Sequence, residues 1–247
     1  MTTLTYGRFA HINLEAVRIS RRNSDGSPTV GTENSVVFTG DLAKLEITPT
    51  VEQATTVQAD AGTAGRSANS YDVPPKVTGW TGVMRFSNWS DELGEITNVS
   101  TLITKPASGS NHQIVGSGYA ASQTCATPGA DYGVIVEAWT DPILCGSQTA
   151  DSGGDLLYRL VVMPYAKGFV FSEAFQPANE FFPYVLSFVL APGTGNGLDN
   201  GPFNDLDDIA PTNLNAPDQT LAWYDIWTET TPPSGTGGYV TVPANAS

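Results

Sequence analysis

The sequence predicts an all-β protein with one flanking α-helix, arranged as a β-sandwich or small barrel. Three observations predict this class: 25 Gly and 17 Pro residues, several short segments that alternate apolar and polar side chains, and one capped apolar stripe with helical spacing. Strand patterns lie on both sides of the helix without βαβ alternation, so we expect the helix to pack beside the strands.

The segments before residue 90 contain the clearest alternation. Four of them are predicted strands: 14–20, 36–39, 43–51 and 79–87. Leu45, Ile47 and Val51 share one side of the third segment, and Trp80, Met84 and Phe86 share one face of the fourth. Each of these strands is therefore expected to bury one face.

Residues 52–70 interrupt the strand pattern, because they are rich in Ala, Thr, Gly and Gln and poor in bulky apolar residues. Such a segment buries little surface by itself. We expect it to form a mobile loop or an extended hairpin in the isolated subunit.

The single helix is predicted over residues 90–104. Ser90 is a suitable N-cap, and Asp91 and Glu92 place negative charge in the first turn. Pro106 follows as a stop signal. The apolar stripe consists of Leu93, Ile96, Val99, Leu102 and Ile103.

The second half of the chain returns to strand patterns. The predicted strands are 113–116, 132–139, 156–163, 168–171 and 182–190. Residues 132–139 and 184–190 are apolar at odd and even positions, which indicates strands covered on both faces. The Gly/Asn-rich stretch 191–201 suggests a boundary that divides a domain at 1–192 from an acidic C-terminal extension at 193–247. Within the extension only 221–227 is strand-like, and we expect the last dozen residues to be weakly ordered.

The charge balance is strongly acidic, with 25 Asp and Glu against 11 Lys and Arg and a formal charge of −14. Lys167 is the last basic residue, so the chain beyond it carries carboxylates alone. Such a surface repels phosphate backbones, which argues against ordinary nucleic-acid binding. Simple solubility is the other explanation for the charge.

Catalytic groups are scarce. His11 and His112 are the two histidines, and neither lies near a nucleophile or metal-binding motif. Residues 116–121 match the pattern GxGxxA, but the residues after them predict a loop and not the helix that a dinucleotide site needs. We therefore expect no enzyme activity, no catalytic residues and no cofactor.

Two clusters could bind a ligand, and each has a simpler explanation. The first holds the densest oxygen ligands of the chain: Asp199, Asn204, Asp205, Asp207 and Asp208. Its spacing differs from that of a calcium-binding EF-hand loop, so a solvated acidic loop without metal is favoured. The second is aromatic and could stack on sugars at either of two places, although core or interface is favoured: Tyr132, Glu137 and Trp139, or Trp223, Tyr224 and Trp227.

The cysteines and the apolar runs indicate the cellular compartment in which the protein is made. Cys125 and Cys145 could form a disulfide, but free thiols are favoured in a protein made in the cytoplasm. No apolar run approaches the ~18 residues of a membrane span, and residues 1–10 lack a signal-peptide core. We expect cytoplasmic synthesis without membrane insertion.

Four stretches together resemble a known family. They are LAKLEITPTVE at 42–52, VTGWTGVMRF at 77–86 with the predicted helix after it, YGVIVEAW at 132–139, and YRLVVMP at 158–164. Their order, which spans roughly residues 1–192, resembles the major tail (tail tube) proteins of long, non-contractile-tailed bacteriophages, particularly those that infect actinobacteria.

The resemblance implies a structural virion protein with the β-sandwich or barrel of the phage tail tube type. It implies self-assembly into hexameric rings that stack into a tube, where the loop at 52–70 contacts the neighbouring ring. Implied partners are further copies, the tape measure protein and the tail terminator, while DNA passes through the lumen during ejection without specific binding. The alternative is a carbohydrate-binding or decoration module of a phage virion.

Overall fold

The computed structural model describes residues 10–24, 26, 28–40, 42–52, 55–58, 70–105, 114–118, 133–143, 158–172, 184–191, 222–228 and 232–242. These residues form 13 strands and one short helix, so the prediction of a mostly β protein with a helix is confirmed. The strands are β1 (Ala10–Arg21), β2 (Gly31–Thr39), β3 (Leu42–Glu52), β4 (Thr55–Gln58), β5 (Ser70–Val73), β6 (Lys76–Phe86), β7 (Thr101–Lys105), β8 (Ile114–Gly118), β9 (Val134–Ile143), β10 (Tyr158–Phe171), β11 (Tyr184–Leu190), β12 (Tyr224–Thr228) and β13 (Thr236–Val242). The helix is α1 (Asp91–Ile96).

Nine strands form one antiparallel sheet in the order β13-β2-β1-β9-β10-β11-β6-β3, and β12 pairs with the first half of β10. The two segments predicted as separate strands at 156–163 and 168–171 are a single long strand, β10, with a register shift against both neighbours. Among the described strands no pairing joins β13 to β3, so the sheet is open. The structure is therefore one continuous main sheet and not two stacked sheets.

The main sheet is strongly rolled. Phe38 on β2 and Phe86 on β6 are separated by five strand spacings in the sheet order, which is about 24 Å if the sheet were flat. Their ring centroids lie only 4.9 Å apart. The inner face of the rolled sheet therefore encloses one core, whose members include Val17, Met84, Leu93, Val136, Met163 and Leu186.

Helix α1 ends at Ile96, so the predicted helix over 90–104 is corrected to its first part. Ser90 is the N-cap as expected, and its Oγ accepts a hydrogen bond from the Leu93 N–H at 3.1 Å. The chain turns at Asn98, whose φ of 58° is the left-handed conformation that ends helices. Beyond it, residues 101–105 are strand β7, paired with β8. This non-local pairing and the β-branched residues override the helical spacing of the apolar stripe.

Two strands come from the segment assigned to a C-terminal extension. β12 pairs with β10, and β13 pairs with β2, so both belong to the main sheet formed by the residues before 192. β13 also lies within the stretch expected to be weakly ordered, which corrects that expectation. The chain after 192 therefore completes the sheet at two places.

The prediction of strands covered on both faces holds fully for β9. Its residues 134–139 are all buried, with even positions in the main core and odd positions on the opposite face. The same prediction is only partly correct for β11, because Val189 is 47% exposed. On this side of β11, Val189 is thus exposed, whereas Val185 is buried.

Candidate functional site

Strands β3 and β6 continue beyond the main sheet as a long two-stranded ribbon. Glu52 faces Lys76 at the end of the β3–β6 ladder, and three residues further along each strand Thr55 faces Val73 in the β4–β5 ladder. The two ladders therefore have the same register. We call the described residues 50–52, 55–58 and 70–79 the arm.

The base of the arm is open to solvent on both faces. Thr50, Val51 and Glu52 are consecutive and all exposed, as are residues 74–78 on the other strand. Because consecutive strand residues point to opposite faces, neither face is covered here. Val51 and Val77 oppose each other across the ribbon and are 44% and 48% exposed. The expectation that Val51 shares a buried side with Leu45 and Ile47 is therefore corrected, and a register shift separates Val51 from Thr50. An isolated two-stranded ribbon is marginally stable in water at best.

At the opposite edge of the sheet, side chains of α1 contact β13. We call Ser90, Glu95, Arg21, Gly237 and Tyr239 the clasp. The Ser90 hydroxyl donates a hydrogen bond of 2.5 Å to the Gly237 carbonyl. On the next turn the Tyr239 hydroxyl donates to Glu95 Oε2 at 2.6 Å, and Arg21 on β1 donates to Glu95 Oε1 at 3.4 Å. Burial, followed by the hydrogen bond to the Glu95 carboxylate, raises the pKa of Tyr239 above its ordinary value. The clasp holds the helix over this end of the core.

Two members of the aromatic cluster are buried and do not form a sugar-stacking surface. Glu137 is 1% exposed and Trp139 is fully buried, so for these two residues the structure agrees with the favoured interpretation as core. Both lie on β9, on the face opposite to the main core, because the strand alternates between its two covered faces. Tyr132 lies outside the described residues.

Glu137 is held beside Arg18, its cross-strand neighbour on β1. The Arg18 Nε lies 3.3 Å from Glu137 Oε2, and the Arg18 guanidinium also lies 5.2 Å from the centroid of the Trp139 ring. Burial raises the pKa of Glu137 to about 8, and the guanidinium opposes that rise. A single contact of this length compensates the buried carboxylate only in part. The pair is therefore an internal feature of the sheet, closed to a large ligand.

The C-terminal aromatic residues are only partly described. Trp223 is half-buried and packs edge-on against Trp80 of β6, with ring centroids 5.7 Å apart. The side chains of Tyr224 and Trp227 lie outside the described set, although their backbone forms β12. Packing against β6 explains Trp223 without a ligand.

The other residues considered for chemistry lie outside the described part of the chain: the side chain of His11, and His112, Cys125, Cys145, Asp199, Asn204, Asp205, Asp207 and Asp208. Within the described residues, no group of three or more His, Cys, Asp or Glu side chains could hold a metal ion. No helix there is long and apolar enough to cross a membrane. Of 116–121, residues 116–118 belong to strand β8.

Sequence reasoning missed the Arg18–Glu137 pair and the Arg21–Glu95–Tyr239 cluster. A charged residue within an otherwise apolar strand, such as Glu137 in 134–139, was the available signal for the first. Its partner depends on strand register, which one sequence does not reveal. The second depends on β13 reaching the edge of β2.

Comparison with known proteins found no family model that matches the chain and no curated protein that matches it significantly.

Proposed function

We propose that this chain is a structural subunit that assembles with copies of itself into stacked rings, forming the tail tube of a long, non-contractile phage tail. The four sequence stretches named above support the proposal by their resemblance to tail tube proteins. The mostly β fold with a short helix is compatible with it. The expected location is the virion, after synthesis in the host cytoplasm.

The arm is the observation that carries the proposal. A ribbon that is exposed on both faces at its base is suited to contact another copy. Main-chain groups on its edges can add to a neighbouring sheet, and exposed valines add apolar contact. In the proposed tube, the arm of each subunit binds a subunit of the adjacent ring.

The acidity of the chain fits a conduit for DNA. A formal charge of −14 per subunit, repeated around a ring, disfavours adhesion of phosphate backbones and leaves the DNA free to slide. Tape measure and terminator proteins are the further partners that this role requires.

Removal of the arm tests the proposal. Because Glu52 and Lys76 are a cross-strand pair, an Asn-Gly turn can replace residues 53–75 and join β3 to β6 as a tight hairpin. Wild-type protein should form rings or tubes in negative-stain electron micrographs and sediment as large species. The shortened protein should fold, as judged by circular dichroism and a cooperative urea transition, and remain monomeric.

Val30→Glu is the matched control, because Val30 is 50% exposed and lies away from the arm. It should assemble like the wild type. Wild-type protein that stays monomeric over the whole accessible range of concentration and salt would refute the proposed function. If the shortened protein assembles like the wild type, the arm is not part of the proposed contact between subunits.

A further inference from the structure

Two consecutive prolines, Pro74 and Pro75, interrupt the arm between its two ladders. On this side of the ribbon the β4–β5 ladder ends at Val73 and the β3–β6 ladder begins at Lys76. Both prolines are exposed and lie outside the strands. Because the two ladders have the same register, the interruption is not a slip of one strand against the other. We call the β4–β5 ladder the tip of the arm.

Single prolines elsewhere in the described strands do not stop a ladder. Pairing with β6 continues on both sides of Pro49, and β3 is the last strand in the order of the main sheet, so this proline can face the edge away from β6. Pro142 lies on β9 beyond the end of the β9–β10 ladder, and Pro164 lies at a register shift of β10. Each of these three prolines therefore occupies a place where one side of the strand needs no donor.

Two consecutive prolines cannot be accommodated in this way. Along an antiparallel strand, residues alternate between those that exchange hydrogen bonds with the partner strand and those that do not. One of Pro74 and Pro75 therefore always occupies a position where the partner strand needs an N–H donor, and proline has none. The other Pro-Pro pair of the described residues, Pro232–Pro233, likewise lies outside the strands. The break in the arm thus follows from the sequence itself.

The surroundings of the break add little support to it. Residues 50–52 and 74–78 are exposed, so the main core does not cover this part of the ribbon. The register shift nearer the sheet is different, because the Thr78 hydroxyl donates to the Thr50 carbonyl at 3.2 Å and joins the two strands there. The tip itself consists of two strands of 4 residues each, and a ladder of this size is marginal in water by itself.

We propose that Pro74 and Pro75 divide the arm into two units, so that the tip opens and closes while the β3–β6 ladder remains paired. The prolines supply no donor across the break, so opening of the tip does not propagate into the main sheet. The inference concerns the isolated subunit and goes beyond the proposed assembly. Its consequence is that the state of the tip is set by its own few pairs and by whatever it contacts, without a change in the core.

Amide hydrogen exchange of the full-length protein, diluted until sedimentation velocity shows a monomer, tests the inference. Mass spectrometry that resolves single amides compares the tip with β3 and β6. In the wild type, the slowest amides of the tip should exchange roughly a hundredfold or more faster than the slowest amides of the β3–β6 ladder.

The variants Pro74→Thr and Pro75→Thr are matched controls for each other. Each restores one N–H and each removes one proline restraint from the open chain, so the second effect cancels between them. The restored N–H faces the partner strand in one variant and the solvent in the other. The first of these should slow exchange of the tip about fivefold relative to the second, which is the factor that one hydrogen bond contributes. Pro49→Thr should leave exchange of the tip unchanged.

Two results would overturn the inference. If the amides of the tip in the wild type exchange as slowly as those of β3 and β6, the arm opens as one unit. If Pro74→Thr and Pro75→Thr have equal exchange in the tip, the missing donor is not the cause of the break. Neither result depends on rings or tubes, so failure of the proposed function and failure of this inference are measured separately.

Discussion

Replacing Glu137 by Gln should change how the stability of the folded protein depends on pH. The carboxyl of Glu137 is buried on β9 between Arg18 on β1 and Val162 on β10. The contact of 3.3 Å to Arg18 Nε favours the carboxylate, but burial disfavours it more, so the pKa rises to about 8. Gln keeps a similar shape and an oxygen that accepts from Arg18, but it has no charge to titrate.

The sign of the effect follows from the two pKa values. In the unfolded chain the carboxyl of Glu137 titrates near 4.5, and in the folded chain near 8. Between these values the folded state holds a proton that the unfolded state has lost. The stability that this group contributes is therefore fully present below pH 4.5 and is lost as the pH rises through about 8. The slope is about 1.4 kcal/mol per pH unit, which amounts to roughly 5 kcal/mol over the interval.

Urea denaturation of wild-type protein and Glu137→Gln at unit steps from about pH 5 to about pH 9 measures this contribution. The free energy of unfolding of the variant, minus that of the wild type, should increase with pH and level off above about pH 8. Glu33→Gln, at an exposed position, controls for the loss of one carboxylate. A difference that stays constant, or that decreases as the pH rises, would show that Glu137 is ionised throughout and that Arg18 outweighs burial.

Three further substitutions, together with Gly79→Ala as a control, test the packing. Gly82→Ala should lower the free energy of unfolding by about 1–3 kcal/mol, because its Cβ would lie 2.2 Å from the buried Phe188 ring. Gly79→Ala should leave it nearly unchanged, because no atom lies within 4 Å of a Cβ at that position. Equal losses in urea denaturation of the two variants would refute this packing. Tyr239→Phe should lower the free energy of unfolding by about 1 kcal/mol through loss of the bond to Glu95. Ser90→Ala should cost about 1 kcal/mol through loss of the N-cap. Unchanged urea midpoints for the last two would show that the clasp adds no stability.

Local patterns in the sequence predicted many of the strands and the faces that they bury. Met84 and Phe86, expected on one face of 79–87, are fully buried in the main core, and Trp80 packs against it. The prediction succeeds there because apolar alternation and burial have the same period of two. It also succeeds for β9, where apolar residues at both parities correspond to two covered faces.

Non-local pairing explains most of what the sequence did not predict. Leu102 and Ile103 continue the helical stripe of the sequence, yet they belong to β7 because β8 offers a partner strand. The contribution of β13 to the sheet was missed for the same reason, since its partner β2 lies far away in the chain. A single sequence contains the propensity of each segment but not which segments meet.

The candidate surfaces were predictable to different degrees. The arm overlaps the polar segment 52–70 that composition identifies, while residues 53–54 and 59–69 of that segment lie outside the described part of the chain. The grouping of Lys44, Arg85 and Lys167 on one side of the sheet was not visible, since it depends on the register of three strand pairs.

The pairing of β13 with β2 has a consequence for the order of events during synthesis. The hydrogen bond from the Gly235 N–H to Thr39 Oγ1 joins residues 196 positions apart, so the edge of β2 remains without its partner while all the intervening chain is made. Contacts this distant in sequence form slowly, and an unpaired edge invites association with other chains in the meantime. We expect nascent chains to depend on chaperones during this interval. Ribosome-bound chains that end at Thr228 should associate with a chaperone more than chains that extend past Val242 with β13 clear of the ribosome.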